Sequence, residues 1–107
     1  MGEKGSRLTA KSTDAAETFV KRLLGFGFDD ISSRNMFGGN GLFAGKKMFG
    51  LVDSTGKLFL KAGPDNEGTF LKAGARKHGR MPYYEVPGKV LSSTAILKKW
   101  VGTSIEL

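Results

Sequence analysis

The chain has 107 residues, no cysteine and a net charge of +7. That length suits one domain with one core and is short for a nucleotide-binding sheet with crossover helices, while the missing cysteines exclude disulfides and thiolate metal sites and fit a reducing compartment. No apolar run approaches the ~20 residues of a membrane span and the N-terminus lacks a hydrophobic signal core, so the expected location is cytoplasmic, with no membrane contact.

Residues 1–12, MGEKGSRLTAKS, carry little apolar content and read as a flexible tail ahead of a domain spanning 13–107. Met1–Ser6 also fits the myristoylation pattern, which is short and permissive; a plain soluble tail is the expectation. Ser12 or Thr13 can cap a first helix, and Asp14 and Glu17 suit its positive end. Ala16, Phe19, Val20, Leu23 and Leu24 then form one apolar stripe at helical spacing, which Gly25 and Gly27 stop.

From Ser33 the period changes to two. NMF, GLFAG, KMFGLVD and KLFLKA read as strands, with turns at Gly45-Lys46 and at Asp53–Gly56. Met48, Gly50 and Val52 are expected on one face, Phe49 and Leu51 on the other. Leu58 and Leu60 likewise oppose Phe59 and Lys61. The connections are too short for crossovers, so the sheet should be antiparallel. Phe37, Phe43, Phe49 and Phe59 are expected in its core. If helices cover one face only, aromatics on the other would be exposed and would mark a partner surface.

Pro64–Glu67 opens a second helix carrying Phe70 and Leu71, and Gly74 ends it. A basic loop follows, then a strand over Met81–Val86 and a turn at Pro87-Gly88. Ser92 or Ser93 caps a last helix with Ile96, Leu97, Trp100, Val101 and Ile105 on its buried face. The order is helix, strands, helix, strand, helix. The fold class is α+β: a single two-layer domain with an antiparallel sheet of about five strands flanked by helices.

The segment GGNGLFAGKK, Gly38–Lys47, superficially matches two nucleotide signatures. Gly39-x-Gly41-x-x-Ala44 needs a helix to open at its end, and GKKMFGLVD reads as a strand instead. A phosphate loop needs glycine where Asn40 stands and Ser or Thr where Lys47 stands. The glycines are therefore expected to shape a sheet, and no cofactor is expected.

His78 is the sole histidine and has no Cys or second His to help it, so it reads as a solvated loop residue. Asp29-Asp30 read as a turn, and no serine or threonine has an evident base. Neither a catalytic site nor a metal site is expected. Charge is the remaining signal. Residues 1–33 are neutral overall, with five basic and five acidic side chains, whereas 34–107 carry twelve basic against five acidic. Lys72, Arg76, Lys77 and Arg80 form the densest cluster, and no acid lies between Leu71 and Met81. They are the candidate nucleic-acid contacts. Tyr83 and Tyr84 beside them can stack on bases or sit half-buried in the sheet, and Lys46 and Lys47 extend the patch only if the fold brings them close.

Three pieces carry a family resemblance: Arg34-Asn35-Met36-Phe37-Gly38-Gly39, the strand Leu58-Phe59-Leu60-Lys61, and Tyr83-Tyr84-Glu85-Val86-Pro87. Together, in that order and with a C-terminal helix bearing Trp100, they resemble the N-terminal domain of the TfoX/Sxy family of bacterial competence regulators. The resemblance runs from about Phe19 to Val101. It implies a compact α+β domain, a bacterial cytoplasm, a regulatory role and no catalysis. The chain is expected to act as a stand-alone first domain, without the second helical domain that such regulators carry. Two readings stay open: a transcription-linked regulatory or adaptor domain that contacts DNA or a DNA-binding partner, and a protein–protein module or homodimer whose charge is incidental.

Overall fold

The computed structural model describes residues 10–36 and 38–107; residues 1–9 of the expected tail and the expected core residue Phe37 lie outside them. Helix α1 spans Ala10–Gly25, so residues 10–12, expected in the tail, are already helical. Ser12 is consequently no cap. It is buried on the same stripe as Ala16, Phe19 and Leu23. Its hydroxyl accepts a hydrogen bond from Asn40 Nδ2 at 3.0 Å and donates to the Val52 carbonyl at 3.3 Å. A small polar residue fits where the helix meets the sheet, and a buried hydroxyl must find partners there.

Asp30, with φ at 58°, turns the chain into the first strand. The strands are β1 (Ile31–Met36), β2 (Gly39–Ala44), β3 (Lys47–Val52), β4 (Leu58–Lys61) and β5 (Tyr83–Glu85). They form one five-stranded sheet in sequence order, antiparallel throughout. Gly39–Ala44 is thus a strand and Gly45-Lys46 a hairpin turn, so no helix opens after Ala44 and the dinucleotide fingerprint lacks its context. Gly45 has φ at 63°, as a tight turn between twisted strands requires. Gly39 serves close approach instead: a Cβ there would run into the Val52 carbonyl.

The pairing of β2 with β3 slips at one point. Leu42 faces Gly50 and Phe43 faces Met48, which leaves Phe49 as the extra residue of a bulge. Strict alternation places Phe49 with Leu51. The bulge reverses this, and Phe49 joins Val52 in the main core while Leu51 faces the opposite side.

The four helices among the described residues all lie on one side of the sheet. Ala16, Phe19 and Leu23 of α1, Phe70 of α2 (Glu67–Lys72), Val90 of α3 (Gly88–Leu91) and Leu97 and Val101 of α4 (Thr94–Glu106) pack on Leu42, Phe49 and Leu60. The short helix α3 stands where only a turn was expected. It opens after an extended Pro87, which the fixed φ of proline favours. Ser93 caps α4 by accepting the Ile96 N–H at 3.4 Å. Ile96 itself is 46% exposed, against expectation, because Leu97, Val101 and Ser104 take the buried stripe.

The other sheet face carries no described helix residue. It holds Leu51, Phe59 and Tyr83 with Met48 and Met81 packed alongside. The aromatics there are nevertheless buried, with Phe43 at 8%, Phe59 at 6% and Tyr83 at 6% exposure. The thioethers fill the gaps, the Arg34 guanidinium lies over the Phe43 ring at 4.9 Å, and the His78 ring stands edge-on to Phe59. The expectation of exposed sheet aromatics is corrected: a single layer of long side chains covers them.

Candidate functional site

Gly74, with φ at 75°, ends α2 and turns the chain back toward the sheet. The basic segment then pairs with the free edge of β5 rather than looping into solvent. Lys77 bridges Tyr84, the His78 N–H donates to the Tyr83 carbonyl at 2.8 Å, and the Glu85 N–H donates to the Arg76 carbonyl at 2.7 Å. A turn through Gly79 and Arg80 closes this hairpin. Arg76–His78 therefore forms the outermost edge of the sheet.

Lys72, Arg76, Lys77 and Arg80 are all exposed. The fold does not gather them on one face. Directly paired residues share a face, so Arg76 and His78 lie with Glu85 and Tyr83 on the helix-free side, and Lys77 lies with Tyr84 on the helix side. Arg80 sits in the turn at the far end and Lys72 in the last turn of α2. Arg76, Lys77 and Arg80 follow the edge and its turn, while Lys72 stands apart at the end of α2. Such a row suits a polyanion better than a single small anion.

A depression of about 360 Å³ indents this edge, lined by Arg76, Lys77, His78, Lys57, Asp53 and Glu85 among others. Lys57, in the β3–β4 turn, is the cation that sequence reading missed. Only the strand order shows that this turn lies beside the β5 edge. The acids temper the local charge. Asp53 Oδ1 accepts hydrogen bonds from the Thr55 N–H, the Thr55 hydroxyl and the Lys57 N–H. Burial raises its pKa, but the Thr55 and Lys57 hydrogen bonds and the Lys57 charge outweigh burial, and the net shift is downward. That carboxylate is committed to its turn.

His78 is only partly exposed. Its ring centroid lies 4.9 Å from that of Phe59 at 81°, so it shields the sheet and is not the solvated loop residue expected. The tyrosines cannot stack on bases either. Tyr84 lies in the main core on Phe70, and its hydroxyl donates to Glu67 Oε2 at 2.6 Å. Tyr83 is buried on the other face, reaching the Met48 carbonyl at 3.5 Å. Lys46 and Lys47 lie at the end of the sheet opposite Arg76 and Lys57, and Lys47 Nζ donates to the Ile105 carbonyl. They do not extend the patch around Arg76. Asp29 is irregular and Asp30 lies in a bend with φ at 58°, and among the described residues no group of three or more potential metal ligands occurs.

A second surface lies between α2 and α4. Phe70 and Trp100 meet at 4.8 Å and 64°, and with Thr69, Lys99 and Ile96 they line a groove of about 400 Å³. Ile96 on α4 is exposed, and so is Leu71 on α2, at 58%. Among the described residues, the exposed large apolar side chains, Leu24, Leu71 and Ile96, thus sit on helices and not on the sheet.

The family model described as the TfoX N-terminal domain matches residues 23–107, most of the chain. No curated protein matches it. Among the described residues, no helix is long and apolar enough to cross a membrane.

Proposed function

We propose a function from one premise: the chain belongs to the TfoX N-terminal domain family, which is associated with competence regulation. It is a non-enzymatic regulatory domain, linked to transcription in a bacterial cytoplasm, that works by contact. Its contact surface is the basic outer edge of the sheet, Lys72, Arg76, Lys77 and Arg80 together with Lys57. Its partner there is the phosphate backbone of nucleic acid.

The observation that supports this most is the pairing of Arg76–His78 onto β5. It turns a basic loop into an exposed, backbone-paired edge, so that binding orders the long side chains but not the backbone that carries them. The edge presents no helix to a groove, so the contact is expected to read charge and shape rather than base sequence. The experiment is a duplex-DNA titration at low and moderate salt. The parent should bind weakly and with little sequence preference. A variant with Lys72, Arg76, Lys77 and Arg80 changed to Gln should lose that binding while keeping its melting temperature. A parent that fails to bind at low salt, or a variant that binds equally well, contradicts the proposal.

The groove between α2 and α4 favours a second reading, a protein–protein module or homodimer, because Ile96 is exposed in it beside Phe70 and Trp100. Sedimentation separates the two readings for self-association. A dimer dispersed by Ile96→Glu supports the second, and a monomer at high concentration removes the homodimer.

A further inference from the structure

A third concavity, of about 430 Å³, lies on the helix side of the sheet, between α1, the β3–β4 turn and α3. That volume is within the usual range of small-molecule pockets, about 300–1,000 Å³. Its apolar walls come from Phe19, Val52, Leu58, Val86 and Leu91. Its polar groups are few: Arg22 and Lys57, with Asp14 and Thr18 along α1.

Arg22 is the unusual member. It is partly buried, its guanidinium donates to the Leu91 carbonyl at 2.6 Å, and it lies 5.6 Å from the Phe26 ring centroid. These contacts fix the group across the gap between α1 and α3. Yet among the described residues no carboxylate pairs with it. Asp14 lines the same cavity but is eight residues away on α1, roughly 12 Å along the axis at 1.5 Å per residue. Glu85 also lines it, but its pairing with Phe59 places its side chain on the opposite sheet face. A guanidinium has five donors, and the Leu91 carbonyl occupies few of them. A partly desolvated cation at an apolar cavity, without a counter-charge of its own, is complementary to an anion carrying an apolar body.

We propose that this cavity is a ligand site for a small monocarboxylic acid with an aliphatic or aromatic body, its carboxylate on Arg22 and its body against Phe19, Leu58 and Val86. The site adjoins the basic edge, with which it shares Lys57 and Glu85, but its anchor Arg22 belongs to this cavity alone. An occupied site ties α1 to α3 and the end of β5, which gives the domain a means of sensing a metabolite.

The test titrates the whole chain with octanoate and 3-phenylpropanoate, and with 1-octanol and 3-phenylpropanol as neutral counterparts, followed by amide NMR shifts. The acids should give saturable shifts centred on Ala15, Phe19, Leu58 and Val86, with affinity at least tenfold above the alcohols. Arg22→Gln should abolish that acid preference and leave the alcohols unchanged. The proposal is overturned by an absence of saturable shifts at millimolar acid, by equal binding of acid and alcohol to the parent, or by an acid preference that survives Arg22→Gln. The comparison of acid with alcohol needs only the parent, so it decides the matter even where the variant fails to fold. DNA binding by the edge can fail without touching this result.

Discussion

Two glycines show how one substitution changes sign with its surroundings. At Gly39 an added Cβ would overlap the Val52 carbonyl and sit 3.2 Å from Asp53 Cα, and backbone atoms cannot rotate away. Gly39→Ala is expected to lower stability by about 1–3 kcal/mol, the usual cost of overpacking. Gly68, within α2, has nothing within 4 Å of its added Cβ. Gly68→Ala should raise stability by roughly 0.5 kcal/mol, the low end of the mid-helix difference between the two residues, because Gly68 lies in the first turn. Urea unfolding of both variants checks the pair, and equal effects would contradict the close approach at Gly39. Tyr84 offers a pH-dependent counterpart. Its hydrogen bond to Glu67 raises its pKa above the ordinary 10.0, and burial and the Glu67 charge push the same way. A raised folded value means the contribution is fully present below pH 10 and is lost as pH rises through that folded value. Unfolding curves between pH 9 and 12 should therefore fall more steeply for the parent than for Tyr84→Phe. Burial also raises Tyr83, so the variant should retain part of the alkaline loss. Parallel curves would mean that the Glu67 hydrogen bond is not kept in solution.

The elements of the sheet differ in what lies over them, and this sets the cost of losing their aromatics. Phe49 is fully enclosed beneath the helices, whereas Phe59 lies under a single layer of His78 and methionine side chains. Losing a core aromatic costs about 3–5 kcal/mol, and the spread reflects how well the site can collapse. Phe49→Ala should fall at the upper end and Phe59→Ala at the lower, because flexible thioethers can move into the space. Chemical denaturation gives the order, and a reversed order would contradict the two-face description. The strand segments, the antiparallel sheet and the helical stripe of α1 were legible in the sequence, since period and turn residues express them directly; the exception in the stripe is Leu24, which is 48% exposed while its neighbour Leu23 takes the buried position. The bulge at Phe49 was not, because one extra residue in a pairing leaves no mark on either strand alone. Neither was the role of Ser12. A serine ahead of an apolar stripe reads as a cap until the Asn40 partner, supplied by a distant strand, is known. Ile96 was assigned to the core because it adjoins Leu97 in an apolar pair, and only packing decides which of two neighbours on a helix turns inward.

At the scale of the whole molecule, charge and shape are arranged separately. The helices and one sheet face enclose the core, the other face is sealed by its own side chains, and the cations run along the edge beyond β5. The sequence identified four cations by their density but not that Arg76 and Lys77 lie on a segment paired with β5, with Arg80 in its turn and Lys72 apart on α2, nor that Lys57 joins them from another turn. It also suggested tyrosines for base stacking, which the core has claimed. What the edge retains is electrostatic, and an electrostatic contact has a quantitative signature. Each phosphate neutralised on duplex DNA contributes about −0.9 to the slope of log K against log salt. The most direct measurement is that slope for the parent and for the four-site Gln variant of Lys72, Arg76, Lys77 and Arg80, taken on one duplex. The account expects a negative slope for the parent whose magnitude falls by roughly 3–4 in the variant, close to one for each cation removed. A slope near zero in the parent, or the same slope in both proteins, would contradict it and place any nucleic-acid contact off this edge.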